Sequence, residues 1–135
     1  MKKLILILFA LIVVVSCNNK ANTSKRELVT ETDTNITQVI YFHGKQRCIT
    51  CRAIEDLTRH VVDSLGNSKV VMKIVDISQK ENEDIAAKYE VTWSSLILDR
   101  NNQSDNLTEM AFSYAKGQPD VFKAKLVEAI QKISR

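Results

Sequence analysis

Two apolar runs of strand character flank one segment of helical periodicity, and this arrangement restricts the fold more than any other feature of the chain. Val39-Ile40-Tyr41-Phe42-His43 is β-branched and aromatic, the composition of a strand. From Ile49 to Leu65, the apolar residues Ile54, Leu57, Val61 and Leu65 share one helical face, with Cys51 three residues before Ile54. Gly66-Asn67 ends that helix. Lys69 to Ile77 is nearly continuous in apolar residues, the pattern of a strand covered on both faces. A strand, a helix and a second strand in this order predict a right-handed parallel crossover.

The remaining elements are shorter. Ser78 to Tyr89 suits a helix, with Ser78 as N-cap and Glu81 at capping-box spacing. Ser94 to Leu98 reads as a third strand. Asp99 to Asn106 is rich in turn formers, and Leu107 to Tyr114 is expected to pair back across it as a fourth strand. Pro119 opens a last helix whose apolar face is Phe122, Leu126, Ala129 or Ile130, and Ile133. The expected fold is α/β: a mixed four-stranded sheet between helices on both faces, over residues 38–135. A stretch of roughly 98 residues can bury a useful core without staples.

The N-terminus reads differently. Met1-Lys2-Lys3 is basic and Leu4 to Val15 is an unbroken apolar run. Twelve residues of helix span roughly 18 Å, short of the roughly 30 Å of a bilayer's hydrocarbon core. Residues 1–16 are therefore expected to be a signal peptide rather than a membrane span. Val14-Val15-Ser16-Cys17 resembles the bacterial lipoprotein signal, which implies lipid on Cys17 and a membrane anchor outside the cytoplasm, most simply facing the periplasm. Residues 17–37 are mostly polar and read as a flexible tether that, fully extended, reaches about 65 Å.

Charge narrows the partners. The chain has 19 Lys and Arg against 16 Asp and Glu, and without Lys2 and Lys3 the balance is close to neutral. Charge-driven nucleic-acid binding is not expected. No dinucleotide fingerprint or flavin site is visible, so no cofactor is expected.

With Cys17 assigned to lipid, Cys48 and Cys51 form a single C-x-x-C at the start of the first helix. Residues i and i+3 of a helical turn bring two sulfurs within disulfide reach. The first sulfur lies at the helix N-terminus, where unpaired N–H groups and the dipole favour an anion. That position suits the attacking thiolate, leaving the more buried sulfur to resolve the mixed disulfide. Lys45 and Arg47 add positive charge beside it, or are only a solvated loop.

C-x-x-C at a strand-to-helix junction, within this order of elements, resembles a thioredoxin-like domain, a three-layer α/β/α sandwich. The resemblance implies Cys48 as nucleophile and Cys51 as resolving thiol. Phe42-His43-Gly44-Lys45-Gln46-Arg47-Cys48-Ile49-Thr50-Cys51 also resembles small bacterial thioredoxin-like proteins known as subunits of a nitrophenyl-compound nitroreductase, the ArsF type. That likeness implies a role beside a partner reductase.

The sequence departs from the thioredoxin pattern at several places. Arg47 stands where Trp is usual, and Ile49-Thr50 where Gly-Pro is usual. Phe42 occupies the place of a buried acid that assists proton transfer. Ser94, or alternatively Ser95, falls where the family has a cis-proline over the sulfurs; a non-proline cis bond costs about 3 kcal/mol, so trans is expected. By the family's pattern, loss of that proline opens the C-x-x-C to metal or an iron–sulfur cluster. His43 either anchors its loop or serves proton transfer or ligation, and Trp93 either packs beside the sulfurs or belongs to the core. No metal site is expected within the chain itself: His60 lies more than two helical turns past Cys51. The leading expectation is a membrane-anchored thiol–disulfide oxidoreductase acting on a protein thiol or disulfide. The alternative is a non-catalytic accessory subunit for docking, electron relay or metal binding. A purely structural disulfide would close too short a loop to stabilise much.

Overall fold

The structure, a computed structural model, describes residues 35–135; the apolar run, Cys17 and residues 18–34 of the tether lie outside the described residues. Strand β1 (Thr37–His43) leads into helix α1 (Ile49–Leu65), and strand β2 (Val70–Asp76) returns parallel to β1. A 3-10 turn (Lys80–Asn82) and helix α2 (Glu83–Lys88) precede strand β3 (Ser95–Arg100), which runs antiparallel to β1. Strand β4 (Gln103–Asn106) pairs antiparallel with β3, and helices α3 (Thr108–Tyr114) and α4 (Pro119–Ile133) complete the chain. The sheet order is β2-β1-β3-β4.

Strand alternation divides the core in two. Val39, Tyr41, Leu96 and Leu98 face α1, α3 and α4, where they meet Ile54, Val61, Ala111, Phe122, Leu126 and Ile130. Ile40, Phe42, Val75 and Ile97 face the other way, toward Ile85 and Tyr89. The three-layer α/β/α arrangement with a mixed four-stranded sheet is therefore present. α1 ends at Gly66, whose φ of 53° is the left-handed conformation that glycine adopts without cost. Pro119 occupies the first turn of α4, as expected.

Three elements differ from the sequence reading. Leu107 to Tyr114 is not a strand: β4 is the exposed, polar run Gln103–Asn106, and α3 begins at Thr108. The turn explains it. Asn101 and Asn102 have φ of 54° and 62°, the paired left-handed residues of a two-residue hairpin turn, so pairing begins at once with Arg100 opposite Gln103. Leu107, Met110, Ala111 and Tyr114 then follow helical spacing and lie on the core. Ser78 is not a helix cap. Its N–H (2.9 Å) and hydroxyl (2.7 Å) both donate to the Asp76 carboxylate, and α2 starts five residues later. Those bonds hold the Asp76 carboxyl below its usual range, the Ser78 hydroxyl being the largest cause.

β2 is an edge strand rather than one covered on both faces. Val70 and Val75 are buried, but Val71 is 39% and Ile74 37% exposed. The crossover through α1 places β2 outside β1, where neither helical layer reaches the full strand.

Candidate active site

The end of β1 and the start of α1 build the site. Cys48 is the N-cap of α1, with extended backbone, and the N–H of Cys51 donates to Cys48 Sγ at 3.0 Å. The two cysteines are joined in a disulfide, with Cα atoms 4.9 Å apart. The sulfurs differ in access: Cys48 is exposed, whereas Cys51 is only 6% exposed. Thr50 is half-buried between them, and Ile49 projects outward at 74% exposure. The helix N-terminus that ties down Cys48 Sγ would meet a thiolate with the same N–H group after reduction.

Beneath the disulfide lies a polar cluster that the sequence reading did not single out. The fully buried Tyr41 on β1 donates its hydroxyl to the Cys51 carbonyl at 2.8 Å, fastening the first turn of α1 to the sheet. Ser94, the residue immediately before β3, lies close to the same Tyr41 hydroxyl. Arg47 lies near enough to act on Tyr41 electrostatically, while its guanidinium is ion-paired with Glu55 on α1. Glu55 also pairs with Arg59 at 3.2 Å. A signal for Tyr41 was present: a tyrosine on the core side of a strand needs a hydroxyl partner. Its neighbour Phe42 faces the opposite side of the sheet.

Burial pushes the Tyr41 phenol above its ordinary value of 10.0; Arg47, and Ser94 less so, oppose the shift. Below pH 10 the phenol is neutral in both folded and unfolded chains, and its full contribution to stability is present. As pH rises past 10, the unfolded phenol ionises first and the folded state loses stability. Tyr41→Phe is therefore expected to cost about 1 kcal/mol at neutral pH, the net worth of one hydrogen bond. The gap to wild type should narrow above pH 10. Urea titrations on both sides of that value would read it, and a gap that widened would contradict the assignment.

Glu55 decides how Arg47 acts on the nucleophile. With its guanidinium paired to Glu55, Arg47 presents little net charge to Cys48. Glu55→Gln would release that charge. The Cys48 thiol should become more acidic by about 0.5–1 unit, read from thiolate absorbance against pH in the reduced protein. Arg47→Gln alone should change it less.

The other expected residues make contacts of their own, and of these only the His43 ring lies against Tyr41, with centroids 6.2 Å apart. His43 Nδ1 donates to the Gly44 carbonyl at 3.0 Å, an anchor for its own loop. Lys45 is exposed and makes no ion pair among the described residues. Ser95 is buried and donates to the Trp93 carbonyl at 3.1 Å. Trp93 is not a core residue: it is 57% exposed and stacks on Phe112 of α3, ring centroids 5.2 Å apart. Among the described residues, no group of three or more His, Cys, Asp or Glu side chains is placed to hold a metal ion. None of the described helices is long and apolar enough to cross a membrane.

Comparison with solved structures decides the architecture. Thioredoxin from Fasciola hepatica superposes with a TM-score of 0.53 at 24% identity, covering 73% of this chain and 82% of that one. The fold is thioredoxin-like. Thioredoxin from Malassezia sympodialis matches at 0.54 with 21% identity, over 75% of this chain and 77% of its own. A Schistosoma mansoni thioredoxin matches at 0.52 with 20% identity, over 75% and 82%. No protein-family model and no curated protein sequence matches the chain. This thioredoxin-like chain carries its Cys48–Cys51 disulfide at the N-terminus of the first helix of the fold.

Proposed function

We propose that the protein is a thiol–disulfide oxidoreductase in which Cys48 attacks and Cys51 resolves. The observation that carries this reading is the asymmetry of the pair: one exposed sulfur at a helix N-terminus, one buried sulfur a helical turn behind it. In the reducing direction, the Cys48 thiolate attacks a sulfur of a partner's disulfide. That bond breaks, and the released partner thiolate takes up a proton. Cys51 gives up its proton and attacks Cys48 Sγ, forming the Cys48–Cys51 bond and expelling the second partner thiol. The protein's dithiol loses two electrons and the partner disulfide gains them. The oxidising direction is the same sequence reversed.

Exposed Ile49, next to Cys48 in the chain, and exposed Trp93, next to Ser94, suit docking of a protein surface. The lipoprotein-like segment ending at Cys17 supports a lipid-anchored position in the cell envelope, outside the cytoplasm. The test is turnover: the reduced full-length protein should catalyse reduction of a disulfide-linked peptide, or its oxidised form should oxidise a dithiol peptide, with neither activity in Cys48→Ser.

A second reading is favoured by β1, whose residues Thr37–His43 include no carboxylate to assist proton transfer at the sulfurs. In it the domain is an accessory subunit of a partner reductase, such as a nitroreductase, serving docking, electron relay or metal binding. A metal or cluster at Cys48 and Cys51 would then draw its further ligands from a second chain. Such a subunit binds its partner but shows negligible turnover alone.

A further inference from the structure

Beyond the disulfide, the structure has a groove of about 640 Å³ lined by Trp93, Asn106, Thr108, Glu109, Phe112 and Ser113. Two aromatic rings form its wall, Trp93 and Phe112, 5.2 Å apart and tilted by 36°. Trp93 is the only tryptophan of the chain, and more than half its surface is open to solvent. A large aromatic side chain left this exposed is what interfaces use as an anchor.

The polar lining has a definite sign. Asn106 Oδ1 is used by the Thr108 N–H (3.0 Å), and Thr108 Oγ1 by the Leu96 N–H (3.1 Å). Among the described residues, Glu109 is the only charged one lining the groove, and its carboxylate has neither an ion-pair nor a hydrogen-bond partner there. An unpaired carboxylate beside two aromatic faces is complementary to a cation. The rings attract it through their quadrupoles and the carboxylate through charge. Arginine, planar and weakly hydrated, suits such a wall better than lysine.

The groove adjoins the site. Trp93 precedes Ser94, which lies close to the Tyr41 hydroxyl, and that hydroxyl reaches the Cys51 carbonyl at 2.8 Å. A partner's side chain one to three residues from its reactive cysteine extends up to about 10 Å from it, at about 3.3 Å per residue.

We propose that this groove is a subsite for a basic side chain, so that the substrate class is a protein cysteine or disulfide flanked by Arg or Lys. The proposal deepens the oxidoreductase reading and rests on it. The partner's arginine seats against Trp93 and Phe112 with Glu109 as its counter-ion, and its cysteine is brought to Cys48.

The test compares three disulfide-linked peptides that differ only in one residue two positions from the cysteine: Arg, Gln or Glu. The full-length protein should show kcat/KM about 5- to 30-fold higher for the Arg peptide than for the Glu peptide. The ratio should fall with added salt and invert in Glu109→Lys. Trp93→Ala should bring it toward one. Equal kcat/KM for all three peptides overturns the subsite and leaves the oxidoreductase reading standing. If none of the peptides turns over, the oxidoreductase reading fails. Binding then still decides the subsite, because fluorescence of the single tryptophan reports the groove directly. An Arg peptide that saturates the signal at lower concentration than the Glu peptide upholds the subsite; coincident curves overturn it.

Discussion

Cys51→Ser is expected to trap the protein's partner as a stable mixed disulfide on Cys48. The prediction follows from the geometry of the pair. Cys48 is open to solvent and sits on the α1 N-terminus, so it retains its attack when Cys51 is removed. The sulfur that would release the partner is the buried one, one helical turn behind. Without it, exchange stops halfway: the bond to the partner has formed and nothing displaces it. Cys48→Ser should trap nothing and reduce exchange to background, because the remaining thiol is 6% exposed. Non-reducing electrophoresis of the two variants with a disulfide substrate separates these outcomes. A complex trapped equally by both variants would remove the distinction between attacking and resolving sulfur.

Phe122→Ala should cost about 3–5 kcal/mol, the range for deleting a buried phenylalanine. Phe122 is fully buried between α4 and the sheet, in the cluster that also holds Ile54, Val61, Leu126 and Ile130. The cavity left behind would separate α4 from both α1 and β3. Domains of this size are stable by about 5–15 kcal/mol, so the loss is a large share of the total. The expected reading in urea is a much lower midpoint with an unchanged slope. The same variant should leave the reduction potential of the Cys48–Cys51 pair where it was, because Phe122 touches the core and not the disulfide. A large shift in potential would show that the core tunes the site.

Sequence pattern alone exposed most of this architecture, and the reason is residue spacing. Phe122, Leu126 and Ile130 recur at helical intervals behind a proline, and α4 lies where they placed it. Ile54 and Val61 did the same for α1, with Gly66 as its stop. β4 was missed because its four residues are polar and exposed, so hydrophobicity carries no signal there; the left-handed pair Asn101-Asn102 does. The apolar residues after it, Leu107, Met110, Ala111 and Tyr114, fit the period of a helix and not that of a strand. In the site, Cys48 and Cys51 were legible because their spacing is local. Tyr41 and Glu55 were not, because their roles depend on contacts made across elements. Tyr41 reaches Cys51 from ten residues away, and Glu55 matters through Arg47. The stacking of Trp93 on Phe112 depends on α3, which the strand-like reading of Leu107 to Tyr114 does not contain.

The measurement that bears most directly on the central claim is the reduction potential of the Cys48–Cys51 pair in the full-length protein, by equilibration against a glutathione or dithiothreitol buffer. A working oxidoreductase predicts a reversible two-electron couple between about −120 and −270 mV, and its position fixes the direction in which the pair acts. A couple below about −300 mV would contradict the account, for the bond would then be a structural disulfide that its surroundings do not reduce.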